Sequence, residues 1–187
     1  MSKESNINLH SDPLLERRLK LANLNRSHHH QSSDALDGSI KRNSAFVKKL
    51  KSLNAEQLPQ LLKELQTLKL EKYLSEITMA MTESKLKNAQ DAMAAAEICS
   101  ALYQRFPGFA NDLIESLFKN VVAPPAYPTS VSLDQKEKEE GSRISKLKSV
   151  LRLIVELFLV GLTHPKYQTD TISGLVHGLV CSFSFSG

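Results

Sequence analysis

Apolar residues recur at steps of three and four along most of the chain. That spacing marks helices with one buried face. The clearest run is Leu58, Leu61, Leu62, Leu65 and Leu68, a single stripe. Pro59 falls in its first turn, where a missing N–H costs little. Leu70, Leu74, Ile77 and Met81 predict the next helix. Ala95, Cys99, Leu102 and Phe106 predict one over 91–106, which Pro107-Gly108 ends. Ala110, Leu113, Leu117 and Val121 predict another, and Ile40, Val47 and Leu50 trace one upstream. No stretch alternates apolar and polar residues at the period of a strand. The expected fold class is all-α.

Other segments have weaker patterns. Residues 143–161 read as a long helix with Ile144, Leu147, Leu151, Ile154 and Phe158 on several faces, ended by His164-Pro165. It is apolar nearly all round beyond its basic first half, so it is expected in the middle of the array. Residues 123–140 contain three prolines and then a run of mixed charge, and read as a flexible linker. Ser11-Asp12-Pro13 is a helix start signal ahead of Leu14, Leu15, Leu19 and Leu21. The polar tract 27–33 follows it. Residues 1–35 are therefore expected to be a loosely attached extension, partly disordered, with one helix. Residues 36–187 form the main domain. Residues 169–180 could begin one more helix, though Gly174 and Gly178 weaken it, and the tail 181–187 carries no stripe. Helix pairs joined by short turns, each burying a face on its neighbour, predict an α-solenoid of antiparallel HEAT-like pairs.

Composition changes this picture little. Few Gly and Pro, no Trp and many Leu, Lys, Glu and Ala suit helices. A net charge of +4 permits contact with RNA or acidic proteins without demanding it. Cys99 and Cys181 lie far apart in apolar company, outside any metal-ligand spacing, which fits a reduced intracellular chain. The N-terminus has no apolar core of a secretory signal. The longest apolar run, 150–162, is too short to span a bilayer.

Two basic segments are the candidate contact residues. Lys41, Arg42, Lys48, Lys49 and Lys51 include no acid between them, and residues seven apart share a helix face. Such a patch could anchor phosphates or an acidic partner, or be the solvated side of an amphipathic helix. Phe46 is the one aromatic residue within the stretch, and no platform for base stacking is expected. The second segment, Arg143, Lys146 and Lys148 with Arg152, follows Glu137, Glu139 and Glu140 and could be neutralised by them. His28, His29 and His30 are adjacent and cannot readily converge on one ion, so no metal is expected. Cys99 sits on an apolar stripe, as an inert thiol does. Nucleophile, phosphate-loop and zinc motifs are all missing, which argues against an enzyme and against a cofactor.

Five blocks resemble one family. The stretch Leu36-Asp37-Gly38-Ser39-Ile40 through Lys48-Lys49-Leu50-Lys51 is similar to the start of the first middle-of-initiation-factor-4G domain in the up-frameshift suppressor two family of nonsense-mediated mRNA decay factors. Leu70 to Ile77, Glu83 to Lys87, Leu102 to Phe106 with Phe109-Ala110, and Leu153 to Gly161 resemble later blocks, in the family's order. The resemblance covers residues 36 to about 163. It implies a helical scaffold linking a decay helicase and exon-junction-linked proteins, mostly through regions outside this chain, and a cytoplasmic location reaching the perinuclear zone. Family members are several times longer, and after Pro165 the sequence drifts from the pattern. The domain is therefore expected to be incomplete at its C-terminus, marginally stable or self-associating. A direct RNA-binding module and a translation-initiation scaffold of the same fold are the competing functions.

Overall fold

The computed structural model describes residues 12–27, 36–122 and 133–163. Its described residues form seven α-helices: α1 (Pro13–Arg26), α2 (Ile40–Lys51), α3 (Leu58–Thr67), α4 (Leu74–Glu83), α5 (Ala89–Arg105), α6 (Phe109–Val122) and α7 (Leu133–Leu159). Short 3-10 turns lead into α3 and α4. The described β-type pairing is one isolated bridge, in which Asp37 joins Leu68. The all-α, solenoid expectation holds.

Local sequence starts and stops these helices. The Asp12 side chain accepts a hydrogen bond from the Leu14 N–H at 3.0 Å, ahead of Pro13 in the first turn. Asn88 caps α5 by accepting from the Asp91 N–H at 2.8 Å. Pro59 sits in the first turn of α3. The helix expected over 143–161 ends at Leu159. Gly161 adopts φ 73° there, while Leu162 N–H donates to Leu157 and Gly161 N–H to Phe158. That paired reversal closes a helix end, and glycine adopts it without a Cβ penalty.

The helices stack in two layers. α2, α4 and α6 lie side by side in one, and α3, α5 and α7 in the other, with α6 also against α7. α5, rather than α7, is the middle helix. Ala92 to Ala96, Ile98, Cys99, Ser100 and Leu102 are all buried, whereas α7 keeps Val155, Phe158 and Leu159 exposed. The reason is side-chain size. Small residues let neighbours approach α5 closely from several directions, while a face of large residues needs a partner of its own.

Two further expectations change. Residues 133–140 belong to α7 and are not linker. Residues 123–132, the tract His28 to His30, and residues 164–187 lie outside the described residues. On α2, Ile40 is 74% exposed, and the buried positions are Asn43, Phe46, Val47 and Leu50.

α1 is attached to the body, against α5 and α7. Its apolar contribution is modest. Ala22 is buried and Leu14 and Leu21 pack against the core, while Leu15 and Leu19 point outward. Polar bonds hold it. Arg18 donates to both carboxylate oxygens of Glu156, at 2.8 and 2.6 Å. Arg17 pairs with Glu97. Buried Asn25 donates to Ser100 Oγ at 3.1 Å and to the Val160 carbonyl at 2.8 Å, and accepts from Gln104 at 3.2 Å.

α2 is tied to α3 in a comparable way. Asp37 pairs with Arg42, its backbone accepts from Lys69, and its N–H donates to Thr67. Lys49 donates to Glu64 at 2.6 Å, and Gln60 donates to the same oxygen at 2.9 Å.

Arg18→Ala leaves the Glu156 carboxylate buried without its partner. It should cost about 3 kcal/mol by urea unfolding, the range for breaking a buried pair from one side. Removing both charges with Arg18→Met and Glu156→Leu should cost much less. A single substitution with no cost would show that the pair does not hold α1. Burial alone would raise the Glu64 carboxyl, but the bonds from Lys49 and Gln60 outweigh it and hold it below the ordinary 4.5. A carboxylate lowered in the folded state stabilises above its unfolded value and loses that contribution as pH falls. The stability difference between the wild type and Glu64→Gln should therefore be largest above pH 4.5 and shrink below it. A pH-independent difference would contradict this.

Candidate interaction surfaces

The first basic segment is largely consumed within the fold. Arg42 pairs with Asp37, Lys49 with Glu64, and Lys51 with Glu83 at 2.8 Å. The bond from Lys51 lowers the Glu83 carboxyl from its usual value. Lys41 and Lys48 show no ion pair among the described residues. Helical spacing puts several of these cations near one another, yet their partners come from other elements and dilute the patch. A small cleft of about 100 Å³ between Arg42, Ala45, Lys49, Glu64 and Leu68 lies inside this network.

The second segment splits. Arg143 donates to both carboxylate oxygens of Glu140, at 2.9 and 2.5 Å. Lys146 donates to Asn120 at 2.9 Å, and Arg152 donates to the Leu86 carbonyl at 2.8 Å. Lys148 is exposed. The neutralisation expected from the acidic run is therefore observed for Arg143 through Glu140.

α7 carries a feature that the basic residues alone do not reveal. Ile144, Val155, Phe158 and Leu159 are exposed, and Leu147 and Leu151 are only partly buried. Ile144, Leu147, Leu151, Val155 and Phe158 follow one another at steps of three and four, which places them on one side. Lys148 and Arg152 edge this strip. The adjoining side, with Val150, Leu153, Ile154 and Leu157, is in the core. Scattered exposed apolar residues are ordinary, but a continuous strip along one helix marks a contact surface. A second pair, Leu15 and Leu19, is exposed on α1, which Arg18 holds against α7.

A larger cleft, about 420 Å³, opens between the end of α4 and the N-terminal half of α7. Glu83, Ser84, Lys85, Ser142, Ser145, Lys146 and Ser149 line it. Of these only Lys146 was a candidate contact residue in the sequence. The spacing of Ser142, Ser145 and Ser149 was the available signal, since three and four residues apart share a helix face.

No chemistry of catalysis appears among these groups. Cys99 is fully buried, and burial pushes its thiol far above the usual range, which leaves it unreactive. A narrow apolar space beside it is lined by Phe109, Ala110, Leu113, Ile114, Leu157 and Leu162. Among the described residues, no three His, Cys, Asp or Glu side chains gather to hold a metal ion.

Comparison with known proteins agrees with this architecture. The MIF4G domain family profile matches residues 40–176. The chain is 40% identical over 126 residues to the regulator of nonsense transcripts UPF2 of Arabidopsis thaliana, covering 67% of this chain and 10% of that protein. It is 42% identical over 134 residues to nonsense-mediated mRNA decay protein 2 of Saccharomyces cerevisiae, covering 69% of this chain and 12% of that protein. The chain thus spans about a tenth of the curated relatives it matches. The first MIF4G domain of human nonsense-mediated decay factor UPF2 has the same fold, with a TM-score of 0.74, 29% identity, and coverage of 90% of this chain and 53% of that one. The N-terminal mIF4G domain of S. cerevisiae Upf2 aligns with a TM-score of 0.62 and 38% identity, over 79% of this chain and 48% of that one. Helix layers, ordered sequence blocks and these relatives agree, and the chain belongs to the MIF4G domain family, alongside the regulators of nonsense transcripts.

Proposed function

We propose that the chain serves as a non-enzymatic scaffold in nonsense-mediated mRNA decay, working through protein–protein contact in the cytoplasm. The observation that carries this reading is the apolar strip of α7. A side of a rigid helix array that exposes Ile144, Val155, Phe158 and Leu159 is suited to receive another helix. The charge at its edge specifies the partner's chemistry. Lys148 favours a helix with an apolar stripe bordered by acidic side chains, because opposite charges at the rim steer and orient docking. The relatives' roles in decay supply the process.

Purified chain should retain at least one other nonsense-mediated decay factor in a pull-down at physiological salt. The pair Val155→Asp with Phe158→Asp should reduce that retention at least about tenfold, since two buried apolar anchors at a contact are each worth about 1 kcal/mol or more. Both residues are exposed, so helix content by circular dichroism should not change. Equal retention by the variant, or none by the wild type, would refute the reading.

A further inference from the structure

The apolar strip of α7 has a symmetry of its own. Ile144, Leu147, Leu151, Val155 and Phe158 follow one another at steps of three, four, four and three residues, an order that is the same from either end. Leu151 is its midpoint. At 3.6 residues per turn the five positions fall within about 80° of the helix circumference, so they make one straight row. The helix beneath them is unbroken from Leu133 to Leu159 and is held on its other sides. Leu153, Ile154 and Leu157 enter the core, Glu156 is gripped by Arg18, and Ser149 and Arg152 bond to Leu86. The row is therefore a rigid surface. It is also an open one, since Ile144, Val155 and Phe158 are 40%, 53% and 41% exposed.

We propose that a second copy of this chain covers the strip, with the two α7 helices antiparallel about a two-fold axis at Leu151. Such a contact needs a surface that complements itself after half a turn, and the symmetric order of steps meets that condition. Leu151 meets its own copy, Leu147 meets the partner's Val155, and Ile144 meets the partner's Phe158. The apolar groups also set the register. A shift by one helical turn places Phe158 against Glu140 and Val155 against Arg143, and the opposite shift places Phe158 against Lys148. From Ile144 to Phe158 the row is about 21 Å long. With Leu159 and the stem of Lys148 at its margin, each copy covers roughly 600 Å² of the other, about 1,200 Å² in all, which is the lower end for a stable interface. The pair is accordingly weak and depends on concentration. Electrostatic attraction plays no part in it. The two Lys148 side chains fall on the same edge, about 9 Å apart along the helices, and repel mildly. This separates the second copy from the acidic-edged helix proposed above, which Lys148 attracts. The two occupants compete for one strip, and a pair forms whether or not a decay factor binds.

The test is sedimentation equilibrium of the full 187-residue chain, with cross-linking to read the register. Between about 1 and 200 µM the chain should be monomer and dimer, with a Kd on the order of 10 µM and no larger species, because a two-fold contact closes on itself. Val155→Asp with Phe158→Asp should weaken pairing at least about tenfold at unchanged helix content. Raising salt from about 0.1 to 0.5 M should tighten pairing by up to about twofold, and Lys148→Ala should do the same. In a Cys181→Ser background, a short bis-maleimide should link Leu151→Cys chains to one another, and Ile144→Cys chains to Phe158→Cys chains in a mixture. It should not link Phe158→Cys chains to themselves, because the symmetry sets those positions about 21 Å apart. A chain that pairs but retains no decay factor overturns the scaffold reading alone. A chain that retains a decay factor but stays monomeric up to about 200 µM overturns this proposal alone. Equal linkage of Phe158→Cys and Leu151→Cys chains, or dissociation by salt, overturns it as well. So does a chain that is monomeric when whole and pairs only once residues 164–187 are removed, a result that would make that segment the occupant.

Discussion

The close approach that α5 permits is the constraint on which the rest of the structure depends. Apart from Met93, its surface from Ala92 to Ala96 is almost smooth, and Ser100 continues it, so helices on several sides can lie against it with little side chain between. α3, α7 and α1 all do so. Larger residues there would force these neighbours apart, and a filled core gives way to overpacking only at a cost of about 1–3 kcal/mol per site. Once α5 is enclosed, the even-numbered helices close the other layer, and Leu50, Leu61, Leu65, Ile77, Met81, Leu113 and Leu117 meet in a single core. Among the described residues, nothing encloses the far side of α7, the last helix in this order.

Where a helix buries one regular stripe, the sequence was enough to place it. α3 and α6 illustrate this, since Leu58, Leu61, Leu65 and then Ala110, Leu113, Leu117, Val121 are the residues that the structure buries. Besides the place of α7 in the array, three readings went astray, each for a physical reason. Ile40 is the first residue of α2 and stands beyond the packed turns, so its hydrophobicity has nothing to meet, while Asn43 takes the inward position and donates to the Lys69 carbonyl at 3.2 Å. Residues 133–140 cannot build a core, but a helix continued from a buried segment needs none. Acids near its start favour the helix dipole, and Glu140 is three residues ahead of Arg143 on the same surface. α1 looked detachable because its apolar stripe is weak. Its attachment depends on Glu97 and Glu156, eighty and 138 residues away, which no local pattern contains.

The same distance problem governs the candidate surface. Five cations within eleven residues suggested a patch, but whether a lysine is free depends on what lies opposite it in space. Glu83 finds Lys51 across 32 residues, and Glu64 finds Lys49 across 15. A charge count along the chain is blind to such pairs. It is equally blind to serines, which carry no charge and gain their meaning only from the cleft they line.

α7 brings these strands together, because its sides have separate duties. Val150, Leu153, Ile154 and Leu157 enter the core. Ile144, Leu147, Leu151, Val155 and Phe158 form the strip left open. Between the two runs a polar line, Ser142, Ser145, Ser149, Arg152 and Glu156, again at steps of three and four. Its C-terminal part is fully engaged. Ser149 and Arg152 grip Leu86, and Glu156 holds Arg18. These are the bonds that fix the α4–α5 connection and α1 to the array. Its N-terminal part, Ser142 and Ser145, follows the same periodicity but meets no described partner. The polar line is therefore a ladder of inward-facing bonds whose upper rungs open into a cleft between two lysines. A helix with that arrangement can join the array along its polar side without disturbing the apolar strip beside it.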